Sequence, residues 1–344
     1  MLKKLSAAAL VVAAGFAFSA PPAAAAGCPV KDTIKFSGLD WASNHFHVSV
    51  ASYMVEKGWG CKTESIPTTT APSLNALAKG DLHISMEIWY ANNREIWDKM
   101  KATGKVMEPG GVSITGAVQG FYIPRYMVEG DKKRGIKAAA PDLKSVADLA
   151  KHAKLFEDPE EPAKGRFYNC KIGWNCERVN TKKLQAYGLD KTFTNFRPGT
   201  GEALAAAIAS AYKRGKPVVA YYWGPTWVLG KYDMVMLKEP EYNEEIWKKL
   251  DKAKSGKGMK ATAYPTIKVI IGMNKKFAEA AGPITTMLSK YHLDGDSVAK
   301  ALVFMKENKD KTGAKAAADF LRKNQTIWTK WVPADIAAKI KASL

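Results

Sequence analysis

Thr33-Ile-Lys-Phe-Ser-Gly38 is a short apolar, β-branched run that stops at Asp40-Trp-Ala-Ser-Asn44, and a helical pattern takes over from about His45 to Lys57. The same change of period recurs at once. Lys62 to Pro67 reads as a strand, Ser73 to Lys79 as a helix, and Leu82 to Ile88 as a third strand ending at Trp89. Strands separated by helices pair through crossovers, which predicts an α/β fold with mainly parallel sheets and helices on both faces. Gln119 to Pro124 opens a second series. It continues with helices near Ser145 to His152 and after Cys176, a strand near Thr192 to Phe196, a helix from Gly201 to Arg214, and strands Pro217 to Trp223 and Asp233 to Leu237. A last apolar strand, Thr266 to Met273, precedes several helices between Lys275 and Leu344.

The two series follow one another with no internal repeat and no low-complexity linker, so two lobes with more than one chain crossing are expected. The expected division is residues 27–118 with 232–344 in one lobe and 119–231 in the other. The crossings should lie near residues 117–121 and 224–238. Ligands of open α/β sheets bind beyond the carboxyl ends of strands. Trp89 and Trp223 stand at such ends on different predicted lobes, which places a site in the cleft.

Three tryptophans mark that site: Trp89 in Ser85-Met-Glu-Ile-Trp-Tyr, Trp174 inside Cys170-Lys-Ile-Gly-Trp-Asn-Cys176, and Trp223 in Tyr221-Tyr-Trp-Gly-Pro-Thr-Trp227. Tryptophan is commonly a packing residue. Trp174, however, lies between two cysteines beside a glycine, with no apolar periodicity to join. A cation lacking N–H groups is held chiefly by aromatic faces, so such a cluster suggests a methylated ammonium group. Trp227, Tyr90 and Trp41 are further wall or rim candidates. Trp59, Trp97, Trp247, Trp328 and Trp331 fall on helices or helix ends and read as structural.

Lys3 and Lys4, the apolar run Ala7 to Phe18 and the small residues Ala24-Ala25-Ala26 match a secretory signal peptide over residues 1–26. An exported, soluble chain starting near Gly27 is therefore expected. Acylation of Cys28 is disfavoured, because Ala25 fills the position usually taken by leucine. The formal charge of +19 falls to +17 once Lys3 and Lys4 are subtracted, since residues 1–26 hold no acids. In an exported protein that excess reads as a cationic surface, not as a nucleic-acid site. The four cysteines suggest two disulfides. Cys170 with Cys176 closes a very small loop, and Cys28 with Cys61 follows by elimination. No C-x-x-C spacing supports zinc, and no cofactor is called for. His45 and His47 diverge on a helix and read as helix-surface or N-terminal histidines, not metal ligands. No nucleophile elbow, H-E-x-x-H, P-loop or dinucleotide fingerprint is present, which argues against an enzyme.

The segments Cys170-Lys-Ile-Gly-Trp-Asn-Cys-Glu177, Tyr221-Tyr-Trp-Gly-Pro-Thr-Trp-Val228 and Val118-Gln-Gly-Phe-Tyr-Ile123 resemble motifs of the glycine betaine/proline betaine substrate-binding proteins of ABC importers. The likeness runs loosely from the first strand to the C-terminal helices and is most specific at the tryptophan-containing cysteine loop. It implies a two-lobed periplasmic binding protein fold of type II, usually monomeric, serving a permease in the inner membrane. It further implies that Trp89, Trp174 and Trp223 form a cage for a quaternary ammonium group. The loop around Asn175 and Cys176 would offer backbone donors to a ligand carboxylate. Where relatives place a histidine after the first cage tryptophan, this chain reads Trp89-Tyr-Ala-Asn-Asn93, leaving Asn93 or Arg94 as substitutes.

Glu87 stands two residues before Trp89 and so on the same strand face. Pointing outward, it is a solvated strand-end charge. Pointing inward, it pairs with the cation and repels a ligand carboxylate, which brings choline, carnitine or trimethylamine N-oxide into consideration beside betaines.

Overall fold

The computed structural model describes residues 27–344. The expected signal peptide lies outside the described residues. β1 (Ile34–Leu39), α1 (Ala42–Trp59), β2 (Thr63–Thr68), α2 (Thr70–Lys79) and β3 (Ile84–Trp89) form the predicted opening units, with β2 and β3 both parallel to β1. α3 (Tyr90–Ala102) follows β3 without a break. β4 (Val106–Met107) and β5 (Val112–Thr115) precede the first passage to a second sheet, across Gly116 and Ala117.

That second sheet holds β6 (Val118–Pro124), β7 (Gly165–Tyr168), β8 (Phe193–Phe196), β9 (Val219–Gly224) and β10 (Met234–Met236), in the order β10-β6-β9-β7-β8. Its helices include α4 (Tyr126–Glu129), α5 (Asn175–Ala186), α6 (Gly201–Lys213) and α7 (Trp227–Lys231). α8 (Glu244–Lys252) packs on α5. The chain then returns through β11 (Val269–Asn274) to the larger sheet, ordered β12-β5-β11-β3-β1-β2, where β12 is His292–Asp294. The remaining helices belong to this side, and two of them, Ala314–Lys323 and Ala334–Ala342, pack on α1.

The parallel expectation holds within the βα units and gives way at the strands that carry the chain between sheets. β11 runs antiparallel to β3, β4 and β5, and β6 runs antiparallel to β9 and β10. β10 lies in the smaller sheet, although it falls within residues 232–344, assigned from sequence to the other lobe. The second passage accordingly comes after Leu237 and before β11, not within 224–238.

Other differences have local causes. α3 starts at Tyr90 with no side-chain cap, so no start signal is present in the sequence. The segment Val146–Phe156 is 3₁₀ helix, begun by a capping box between Ser145 and Asp148. The lysine-rich stretch 248–260 begins in the last turns of α8.

Both disulfides are formed. Cys28–Cys61 ties the segment before β1 to the start of β2, and Cys170–Cys176 closes a loop with a sequence separation of 6. One irregularity bears on the site. β3 and β11 pair Trp89 with Val269 and Ile88 with Ile270, then Ser85 with Gly272. Met86 and Glu87 together therefore oppose Ile271, a β-bulge, and bulges re-aim side chains.

Candidate functional site

Both sheets present aromatic residues to one cavity between them. Trp89 ends β3, and Trp41 lies on the turn from β1 into α1, both from the larger sheet. Trp223 ends β9, and Trp174 precedes α5 inside the Cys170–Cys176 loop, both from the smaller side. The indoles meet edge to face: centroids are 5.4 Å apart for Trp41 and Trp174, 5.3 Å for Trp174 and Trp223, and 6.5 Å for Trp89 and Trp223. Tyr221, two residues before Trp223 on the same strand face, stacks behind it at 6.1 Å. They enclose a small cavity of about 40 Å³.

Two glycines hold Trp174 in place. Gly173 has φ +97°, a conformation glycine adopts without strain, and a β-carbon there would press on Thr69 at 3.2 Å. A β-carbon on Gly201, at the start of α6, would lie 2.8 Å from the Trp174 ring. The small cysteine ring and Gly173 constrain the backbone that carries the indole, and Gly201 approaches the ring itself.

The cleft is closed by hydrogen bonds between the lobes. Trp174 Nε1 donates to Asp40 Oδ1 at 2.7 Å, and Lys171 Nζ pairs with Asp40 Oδ2 at 2.6 Å. Asn175 Nδ2 donates to Asn93 Oδ1 at 2.5 Å, and Asn92 Nδ2 donates to Gln119 Oε1 at 3.0 Å. The Tyr221 hydroxyl donates to the same Gln119 oxygen.

Glu87 points inward and is 2 % exposed. Its Oε2 accepts from the indole N–H groups of Trp41 at 2.8 Å and Trp89 at 2.9 Å. Burial pushes its carboxyl above the usual range, and the bonds from Trp41, Trp89 and Ser43 pull the other way. Behind it lies His47, fully buried, with Nδ1 2.7 Å from the Tyr291 hydroxyl and Nε2 3.9 Å from Glu87 Oε1. Burial pushes the imidazole down to about 3, so the ring is neutral. This corrects the sequence expectation for His47. α1 is covered by the sheet on one side and by C-terminal helices on the other, and that helical cover is remote in sequence. His45 stays near the surface and bonds the Lys311 carbonyl oxygen at 2.9 Å.

The structure thus brings together Trp41, Trp89, Trp174, Trp223, Glu87, Asn93, Asn175 and Cys176 around one cavity. Both ends of the Asn93 amide are engaged, its Nδ2 donating to the Trp89 carbonyl at 2.8 Å. Three candidates lie elsewhere. The Tyr90 hydroxyl turns outward to Asp98 at 3.0 Å, and Arg94 pairs with Glu244 at 2.9 Å. Trp227 packs on Tyr232 with Lys306 Nζ 4.6 Å above its ring. Tyr221, Asn92 and Thr70 line the cavity without having been singled out. Tyr221 carries the same two-residue signal as Glu87, whereas Asn92 becomes visible only once α3 is known to begin at Tyr90. Among the described residues no cluster of three His, Cys, Asp or Glu side chains could hold a metal ion.

Comparison with known proteins agrees with this architecture. The chain is 32% identical over 169 residues to the glycine betaine/proline betaine-binding periplasmic protein of Escherichia coli strain K12, covering 48% of each chain. It spans less than half the length of the first curated relatives it matches, 43% and 48%. Among solved structures, it superposes on the glycine betaine/L-proline-binding protein of Borrelia burgdorferi with TM-score 0.69 at 18% identity, covering 90% of this chain and 100% of that one. An ABC-transporter choline-binding protein in complex with choline gives TM-score 0.71 at 16% identity, covering 92% and 98%. These structural likenesses establish the two-lobed fold. The match that settles kinship spans residues 32–323, most of the chain: the protein belongs to the family of substrate-binding domains of ABC-type glycine betaine transport systems.

Proposed function

We propose that this protein captures a small quaternary ammonium compound in the tryptophan-lined cavity, in the periplasm, and delivers it to a membrane permease. The observation that carries the reading is the convergence of four indoles from both lobes on one cavity whose only buried acid is Glu87 among its lining side chains. A trimethylammonium group has no hydrogen bond to offer, so dispersion and quadrupole attraction to indole faces are the forces left to it. Each well-desolvated face contributes on the order of 2 kcal/mol. Several together are consistent with micromolar affinity, about −8 kcal/mol, after the cost of association. Relatives named for glycine betaine, proline betaine and choline support the ligand class and the periplasmic setting. Closure between lobes would present the liganded form to the permease.

Two ligand groups fit the class. Asn175 and Cys176 open α5, whose first backbone N–H groups have no acceptor within the helix and suit a betaine carboxylate. Glu87, in contrast, favours a ligand that brings a cation without a second carboxylate, such as choline, or the dipole of trimethylamine N-oxide. A thermal-shift panel of glycine betaine, proline betaine, choline, carnitine and trimethylamine N-oxide separates them, because stabilisation scales with ligand concentration over Kd. A flat response to all five at millimolar concentration rejects the reading.

A further inference from the structure

The arrangement behind the cavity goes further than the cage. Glu87 Oε1 and His47 Nε2 are both buried, both without a hydrogen-bond partner, and face one another at 3.9 Å. That is too long for a hydrogen bond. Burial keeps the Tyr291 phenol protonated. Facing an ionised Glu87, the ring pairs on both sides when the Tyr291 hydroxyl donates to His47 Nδ1 and the imidazole proton sits on Nε2. The groups turned toward this carboxyl are therefore donors: the two indole N–H groups on Oε2 and the imidazole N–H opposite Oε1. The Ser43 hydroxyl also bonds this carboxyl, and the charged pair of the cleft, Asp40–Lys171, is engaged with the Trp174 N–H. A donor shell of this kind suits a carboxylate, while burial without a counter-charge suits the neutral acid. A cation bound in the cavity would supply that counter-charge.

We propose that capture of a quaternary ammonium ion is coupled to the loss of one proton from Glu87 to solvent, with His47 and Tyr291 positioning a donor against the carboxylate so formed. This rests on the reading of the cavity as a cation cage. The Glu87 O–H bond breaks, its electron pair stays on the carboxylate, the proton passes to water, and no bond to the ligand is made. His47 does not take the proton, because its own burial keeps it neutral.

The sign follows. Above the pH at which Glu87 ionises in the empty site, affinity is independent of pH and no proton is released. Below it, affinity falls about tenfold per pH unit until the bound form also protonates. An opposite charge within about 4–6 Å moves an acid by 1–3 pH units, so the whole span is on the order of 10- to 1000-fold.

The test is calorimetric titration of the full protein with tetramethylammonium chloride, which has no titratable group, between pH 5 and 8 in buffers of different ionisation enthalpy. We expect up to about one proton released at the acid end, none at the alkaline end, and Kd weakening as pH falls. Glu87→Gln should release none and bind with a flat pH profile. His47→Phe should move the wild-type profile to higher pH, because the ring N–H facing Glu87 is lost. Tetramethylammonium binding with a pH-independent Kd and no proton release overturns the coupling while leaving the cage intact. Proton release persisting in Glu87→Gln overturns its assignment to that residue. No binding by the wild type at any pH rejects the cage itself, and the coupling with it.

Discussion

Replacing Trp174 by alanine should weaken capture of choline or tetramethylammonium on the order of 100-fold. The lost indole face accounts for about 2 kcal/mol. The indole N–H also makes one of the bonds across the cleft, to Asp40 at 2.7 Å, and a net hydrogen bond contributes about 1 kcal/mol. Together these give about 3 kcal/mol, or roughly two decades in Kd at 1.4 kcal/mol per tenfold. Trp174→Phe separates the two contributions. It keeps a smaller aromatic face and loses the N–H, so its Kd should rise at least about fivefold, the equivalent of that 1 kcal/mol, and stay below the rise for Trp174→Ala. Folding should survive both changes, because the ring's aromatic neighbours, Trp41 and Trp223, are themselves cavity walls, and the Cys170–Cys176 bond remains. The assay is isothermal titration at fixed pH, with ligand-free melting as the control for folding. A Kd for Trp174→Ala within twofold of wild type, with melting unchanged, refutes the cage argument for this residue.

Gly201→Ala places a methyl 2.8 Å from the Trp174 ring and 3.2 Å from the Asp40 carbonyl, so affinity should fall about tenfold. Alanine also suits the first turn of a helix better than glycine by about 0.5–1 kcal/mol, so the melting temperature should hold or rise, and calorimetry beside melting exposes that split. The two disulfides should part company when each is replaced by serines. In the chain-entropy account the Cys28–Cys61 loop, separation 33, contributes about 4 kcal/mol of stability and the Cys170–Cys176 loop, separation 6, about 2. Urea midpoints should follow that order, while only loss of Cys170–Cys176 should weaken ligand binding. Trp227→Ala should leave Kd within about twofold, since that ring packs on Tyr232 away from the cavity; a tenfold loss in the same titration counts against the wall residues named here.

Much of the site was legible because its parts sit at punctuation in the chain. Trp89 and Trp223 end apolar runs, and Trp174 is bracketed by cysteines, so local signals pointed to loop starts above a cleft. A period of two put Glu87 on the face of Trp89 but left its direction open, and the same period would have found Tyr221. Direction was harder than position. Tyr90 and Trp227 adjoin or nearly adjoin cage residues in sequence, yet each stands at the start of a helix, and the rotation of that first turn sent both side chains outward. His47 illustrates what no local reading supplies. Its helix looks polar at one end, and its burial is decided by Tyr291 and by helices more than two hundred residues away. The strand order failed in the same way at β10 and β11, where the return path, not the pattern within a strand, sets the pairing.

The Cys170–Cys176 bond carries a consequence for where recognition can occur. Thiols stay reduced in the bacterial cytosol and pair only in oxidising surroundings. On the proposed periplasmic function, the Trp174 turn is unstapled until the chain has left the cytosol, and a newly made chain is a poor trap for the proposed ligand. Competence then arrives with oxidation.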